Sequence, residues 1–137
     1  MQVDYAILAD AAATESGKHY ILGGGWDTIY AASFPITHPM MALAIRLRVP
    51  WLETNEEHEV MIDLLDGDGN SVLPGSPPGG KLITGRPPQL SPGADQVIQL
   101  VFAITGTTFA KRGDYAVVVR IDGLDASRTT FHVVAIQ

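Results

Sequence analysis

Apolar residues in this chain recur at every second position, and that period constrains its fold more than any other feature. Between Met40 and Val49, Leu43, Ile45, Leu47 and Val49 share one face, while Ala42, Ala44, Arg46 and Arg48 share the other. Neighbouring side chains on a strand point to opposite sides, so this pattern predicts a half-buried strand with its arginines in solvent. Pro50 lacks a backbone donor and ends it. The same alternation runs through Val3–Ile7, Val60–Leu64, Ile98–Ile104, Tyr115–Ile121 and Phe131–Ala135. Lys18 to Ala31 reads as one long strand, or as two, broken at Gly23-Gly24-Gly25, where a bulge or bend is expected.

Turn signals separate these runs. They stand at Gly17-Lys18, Asp66-Gly67-Asp68-Gly69-Asn70, Lys111-Arg112-Gly113-Asp114 and Asp122-Gly123. Asp10 to Ser16, rich in alanine, is the one stretch that could hold a helical turn. Residues 74–92 carry six prolines and read as a long loop with one short edge strand at Lys81 to Thr84. Many short strands without helices between them predict an all-β protein of about 7–9 strands. The expected architecture is a two-sheet antiparallel β-sandwich, immunoglobulin-like or jelly-roll-like, with a backbone bond from the Tyr115 hydroxyl near its closing strands. At 137 residues the chain has room for one domain, spanning 1–137.

Charge and composition narrow the function. Nine basic against fifteen acidic side chains give −6, a poor balance for a general nucleic-acid binder. Cysteine is absent, which removes disulfides, thiolate metal sites and cysteine nucleophiles. No apolar run is long enough to span a bilayer, and the opening Met1-Gln2-Val3-Asp4 lacks a basic leader region. A cytoplasmic protein that binds neither membrane nor nucleic acid is the expectation.

The motifs that invite chemistry have plainer readings. Gly23-Gly24-Gly25-Trp26-Asp27 suggests a phosphate loop, but Thr28-Ile29-Tyr30 continues as strand and no Lys-Ser/Thr follows. Asp66 to Asn70 resembles the start of a calcium loop, yet Ser71 and Pro77 occupy positions where an EF-hand needs a glycine and a carboxylate. A hairpin turn between Ile62–Leu65 and Val72–Leu73 fits better. The basic-free interval from Val49 to Gly80 reads as a solvated acidic face. His19, His38, His58 and His132 stand at no metal-ligand spacing, and no Gly-x-Ser-x-Gly elbow occurs. Arg112-Gly113-Asp114 reads as a turn. Carboxylate pairs such as Asp10 with Asp27, or Glu53 with Glu57, can be drawn, but sequence sets no separation between them. No catalytic residue, metal ligand or cofactor is expected.

One group of residues resembles a known pattern. Asp4-Tyr5, Leu8-Ala9-Asp10-Ala11, Gly17-Lys18 with Tyr20, Gly23 through Trp26-Asp27-Thr28-Ile29, Ser33-Phe34-Pro35 and His38-Pro39 are similar to a family of small bacterial proteins of unknown function. The likeness covers the first half well and the last third more loosely. It implies a small all-β bacterial protein and carries no established activity or site.

Two functional readings follow. The first is a non-enzymatic binding or assembly module, pairing with itself as a homodimer or higher assembly, or with another protein, through sheet edges and loop tryptophans. The second is a small ligand- or carbohydrate-binding, or hydrolytic, β-sandwich. Its site would lie where residues 23–27 meet residues 51–58, with Trp26, Asp27, Trp51, Glu53, Asn55 and His58 as the binding groups.

Overall fold

The computed structural model describes residues 1–136. The strands are β1 (Gln2–Glu15), β2 (Lys18–Gly24), β3 (Thr28–Ala31), β4 (Ile36–Val49), β5 (Glu57–Leu65), β6 (Gly79–Ile83), β7 (Gln96–Phe109), β8 (Gly113–Ile121) and β9 (Leu124–Ala135). A single 3-10 turn, Trp51–Glu53, follows β4, and no α-helix occurs among the described residues. The strands form two sheets, ordered β2-β1-β4-β7 and β3-β9-β8-β5-β6. The protein is all-β, as the alternation demanded.

The first sheet is antiparallel throughout. The second is mixed, because β3 runs parallel to β9, and it curls into a half-barrel. The expectation of wholly antiparallel sheets is therefore corrected at β3. The reason lies in the glycine run: β2 belongs to the first sheet and β3 to the second, so residues 23–27 carry the chain between layers. Gly25 takes φ +85 there, and Gly23, at φ +60, lies under the Asp10 carboxylate where any Cβ would collide. A corner that leaves one sheet can enter the other in either direction.

Alternation places the core as expected along β4 from Leu43, β5, β8 and β9, but in β1 the register shifts after Val3, so Ala6 and Leu8 face inward rather than Tyr5 and Ile7. Leu43, Ile45, Leu47 and Val49 are all 0% exposed. They meet Val60, Ile62 and Leu64 of β5, Val117 and Val119 of β8, and Phe131 of β9. Phe109, Tyr115 and Phe131 form an aromatic cluster, with centroids 4.8, 5.8 and 5.9 Å apart in edge-on and stacked pairs. The Tyr115 hydroxyl donates to the Lys111 carbonyl at 2.7 Å, the backbone bond expected of it.

The alternation changes phase once within β4. From Met41 onward the odd positions are buried, but near its start His38 and Ile36 turn inward, opposite Thr107 and Phe109 of β7. Between the two phases stand Pro39 and Gly106, the latter at φ +65. A left-handed residue in one strand, and a proline in the other, rotate the ladder so that its faces exchange.

Three local expectations are corrected. Asp10 to Ser16 holds no helical turn; β1 runs on to Glu15 and pairs residue by residue with β2. Weak alanine propensity yields to a full ladder of backbone bonds. Arg46 and Arg48 do not stand free in solvent. Both are half-buried around Asp4, which sits in the irregularity between Val3 and Tyr5. Arg48 grips its carboxylate with two bonds of 3.0 and 3.2 Å. The Arg48 guanidinium, and Arg46 beside it, hold the Asp4 carboxyl below its usual range. Finally, the edge strand in the Pro/Gly loop is β6, which begins at Gly79 and ends at Ile83.

Part of the outer face of the first sheet is covered as well. Tyr5 lies on that face, opposite Arg46, and its hydroxyl meets His19 Nδ1 at 2.7 Å. His19 Nε2 lies 3.0 Å from the Leu100 carbonyl of β7. Since β2 and β7 are the two edges of this sheet, the distal half of the β1–β2 hairpin must fold back over it. Ala9, Ala42 and Ala44 lie on this face and are 0–2% exposed. Their small side chains let the hairpin approach closely.

Candidate functional site

The residues singled out from sequence fall into two groups at opposite ends of β4. At its far end, the Trp51–Glu53 turn is locked by its neighbours. Thr54 Oγ1 donates to the Trp51 carbonyl at 2.6 Å. Arg86, returning from the long loop, donates to Thr54 Oγ1 at 2.5 Å and to the Trp51 carbonyl at 2.8 Å. Its guanidinium stacks 4.1 Å from the Trp51 ring centroid. Trp51 is thus covered on one face by a residue of its own chain. Asn55, at φ +61, donates its backbone N–H to the Thr84 carbonyl at 2.7 Å and leaves its side chain in solvent.

His58 is the buried centre of this end. Its Nδ1 lies 2.9 Å from Asp122 Oδ2, and its Nε2 lies 2.9 Å from the Glu53 carbonyl. Both partners can only accept, so the site favours the form of the ring in which both nitrogens donate, the imidazolium. The Asp122 carboxylate, then the Glu53 carbonyl, raise the His58 pKa above 6.5. In return His58, then the Glu59 backbone N–H, lower the Asp122 pKa below 3.8. The Glu53 carboxylate meets the Met1 amino group, and Glu57 pairs with Lys81 at 3.1 Å. A histidine with both nitrogens donating has no lone pair to accept a substrate proton. The group works as a clamp that ties the Met1 amino group, the 3-10 turn, β5 and the β8–β9 turn together.

Trp26 and Asp27 lie at the other end. Trp26 packs edge-on against Phe131 at 6.1 Å and beside His38 at 6.2 Å. The Asp27 carbonyl accepts from the His132 N–H at 2.7 Å, while its carboxylate accepts from the Thr28 hydroxyl at 2.9 Å. From His38 to Val49 there is roughly 35 Å of extended strand. Residues 23–27 and 51–58 therefore build no common pocket, which corrects the expected shared site. Continuous β-structure separates them, and one strand's length sets the distance.

The remaining candidates are engaged locally. Asp66 Oδ1 accepts from the Asp68 and Asn70 N–H groups, each at 2.9 Å, so its carboxylate makes the turn. Asp63 accepts from Ser71 and Arg120, and His132 Nδ1 lies 2.6 Å from Asp114 Oδ1. Among the described residues no three His, Cys, Asp or Glu are placed to hold a metal ion. No helix among them is long and apolar enough to cross a membrane.

A surface that the sequence reading missed is the outward side of the folded-back hairpin. Tyr20 pairs with Ala13 and Leu22 with Ala11, and all four share a face. Tyr20 is 56% and Leu22 73% exposed. The signal was present: Tyr20-Ile21-Leu22 is apolar at consecutive positions, whereas a strand with one wet side alternates.

These features define a class: an all-β protein of two sheets, with its polar clusters tied into the scaffold and an apolar hairpin face turned outward. Within that class the chain belongs to a family of unknown function (DUF6941), whose model matches residues 4–134. No curated protein and no solved structure matches it.

Proposed function

We propose that this protein is a non-catalytic binding or assembly module, a two-layer β-sandwich that docks through a sheet surface rather than through a pocket. The observation that carries this reading is the outward face of Ala11, Ala13, Tyr20 and Leu22. An aromatic and a leucine held over small residues on a hairpin supply contact area with little conformational entropy to lose. The engagement of His58, Glu53 and Asp122 within the scaffold supports the same reading, since the best-placed acid–base group is spent on structure. The tryptophans contribute less than their positions in sequence suggested: Trp26 packs on the core and Trp51 lies under Arg86.

Hydroxyl-radical footprinting tests this. Tyr20 and Leu22 are expected to be modified in dilute purified protein and protected in an extract of the cells that make it, while Leu52 at the far end, 83% exposed, is modified in both. Full modification of Tyr20 and Leu22 in the extract, to the extent seen for Leu52, would overturn the reading.

A further inference from the structure

The free edge of β2 has a self-complementary order of side chains, and we infer that a second copy of this chain adds antiparallel to that edge with Ile21 on the two-fold axis, packing Tyr20 and Leu22 against their counterparts across the seam. This rests on the docking role proposed above and names its partner. Centring the pair on Ile21 sets Tyr20 opposite Leu22 of the partner subunit, and Leu22 opposite the partner subunit's Tyr20. Those residues share the outward face with Ala13 and Ala11. The four-stranded surface then carries two rows of the form Ala-Tyr-Leu-Ala. Aromatic–aliphatic cross-strand pairs are the stabilising unit of such a ladder.

Charge agrees with the register. Lys18 is the one Lys or Arg of β2, and it falls opposite Gly24 of the partner subunit, far from its own mate. Within its own hairpin Lys18 is already matched across the ladder by Glu15. Like charges are opposed nowhere along the pair.

The other edges are less suited. Strand β3 has four residues, and β6 has five, opening with two glycines and carrying Lys81 in an ion pair with Glu57. Strand β7 is long and uncharged, but its large side chains are not exposed, and its Leu100 carbonyl already lies against His19. Tyr30 on β3 and Ile83 on β6 are each a lone exposed large apolar residue of their strand, whereas among the described edges only β2 presents two, Tyr20 and Leu22, on one face. Free edges with apolar flanks recruit further strands, and a two-fold contact uses the same patch on both subunits.

The test uses the purified full chain. Sedimentation equilibrium is expected to give a dimer, and Leu22→Asp to weaken it by about tenfold or more, while Leu52→Asp leaves it unchanged. The protein has no cysteine, so Ile21→Cys can form only one disulfide, across the axis. Should Ile21→Cys fold poorly, mixed Tyr20→Cys and Leu22→Cys chains are expected to cross-link to each other in preference to themselves. A monomer up to roughly millimolar concentration overturns the pairing, as does a dimer indifferent to Leu22→Asp and to these cysteines. A purified monomer whose Tyr20 and Leu22 are protected in extract overturns self-pairing but leaves the docking role standing. A monomer unprotected in extract overturns both.

Discussion

The β1–β2 and β8–β9 hairpins share one turn and meet opposite fates. Ser16-Gly17 stands at φ +52 and +70, and Asp122-Gly123 at +51 and +81, so both close through two left-handed residues. In the second hairpin each strand is paired on both sides: β8 lies between β5 and β9, and β9 between β8 and β3. Its inward residues, Tyr115, Val117, Val119, Phe131 and Val133, are core. Its turn is bolted down as well, since Asp122 holds His58 and the Glu59 N–H. In the first hairpin β2 has a neighbour on one side only, and Tyr20 and Leu22 face outward. A turn code sets how two strands meet, not how many neighbours they acquire. The hairpin with two layers of neighbours became the scaffold, and the one with a free edge became the surface.

Substitutions can break that contrast, and the largest effect belongs to the scaffold. Phe131 is fully buried between Trp26, Phe109 and Tyr115. Phe131→Ala is expected to lower unfolding free energy by about 3–5 kcal/mol, read from urea midpoints. Next comes the bolt on the second turn. His58→Ala leaves the Glu53 carbonyl and the Asp122 carboxylate without their donor, a loss of about 1–3 kcal/mol in the same measurement. Tyr115→Phe removes the hydroxyl bond to Lys111 and is expected to cost about 1 kcal/mol. Leu22→Ser in the first hairpin closes the series, shifting monomer stability by no more than about 0.5 kcal/mol. A comparable loss from Leu22→Ser and Phe131→Ala would erase the distinction between the hairpins.

The pH dependence of stability sharpens it further. His58 has a folded pKa raised above 6.5, so its contribution is fully present below 6.5 and is lost as pH rises through the raised value. Asp122 has a folded pKa lowered below 3.8, so its contribution is present above 3.8 and is lost as pH falls through the lowered value. The bolt therefore holds best between these limits. Urea midpoints measured across pH are expected to decline on the alkaline side in the unaltered protein, and to stay flatter there in His58→Gln. An unchanged alkaline slope in His58→Gln would show that the Asp122–His58 pair does not stabilise this turn.

Much of this was legible in the residues. Leu43 to Val49 announced their buried face because a strand offers only two. Gly17 and Gly123 marked their turns because left-handed backbone favours glycine. Other features escaped because they depend on distant contacts. Arg46 and Arg48 looked like solvent residues, since nothing beside them in sequence shows Asp4 across the ladder. Alanines 11–13 looked helical until β2 lay alongside. Trp26 and Trp51 looked like two halves of one site because sequence holds no measure of the span of β4. His58 stood in the sequence at no metal-ligand spacing, and nothing near it in the chain shows Asp122, 64 residues away, which meets its ring in the fold.

Alternation and turn residues, acting within a few residues of one another, suffice to make this chain a set of strands, with the inward side settled wherever the alternation runs unbroken, as from Leu43 to Val49. Which sheet each strand enters, that β3 runs parallel to β9, that the first hairpin doubles back over Ala42 and Ala44, and that His58 is pinned while Tyr20 and Leu22 stay uncovered, follow from pairings between remote segments. Side-chain direction is a local property of an extended backbone, whereas burial and protonation belong to whatever that backbone meets.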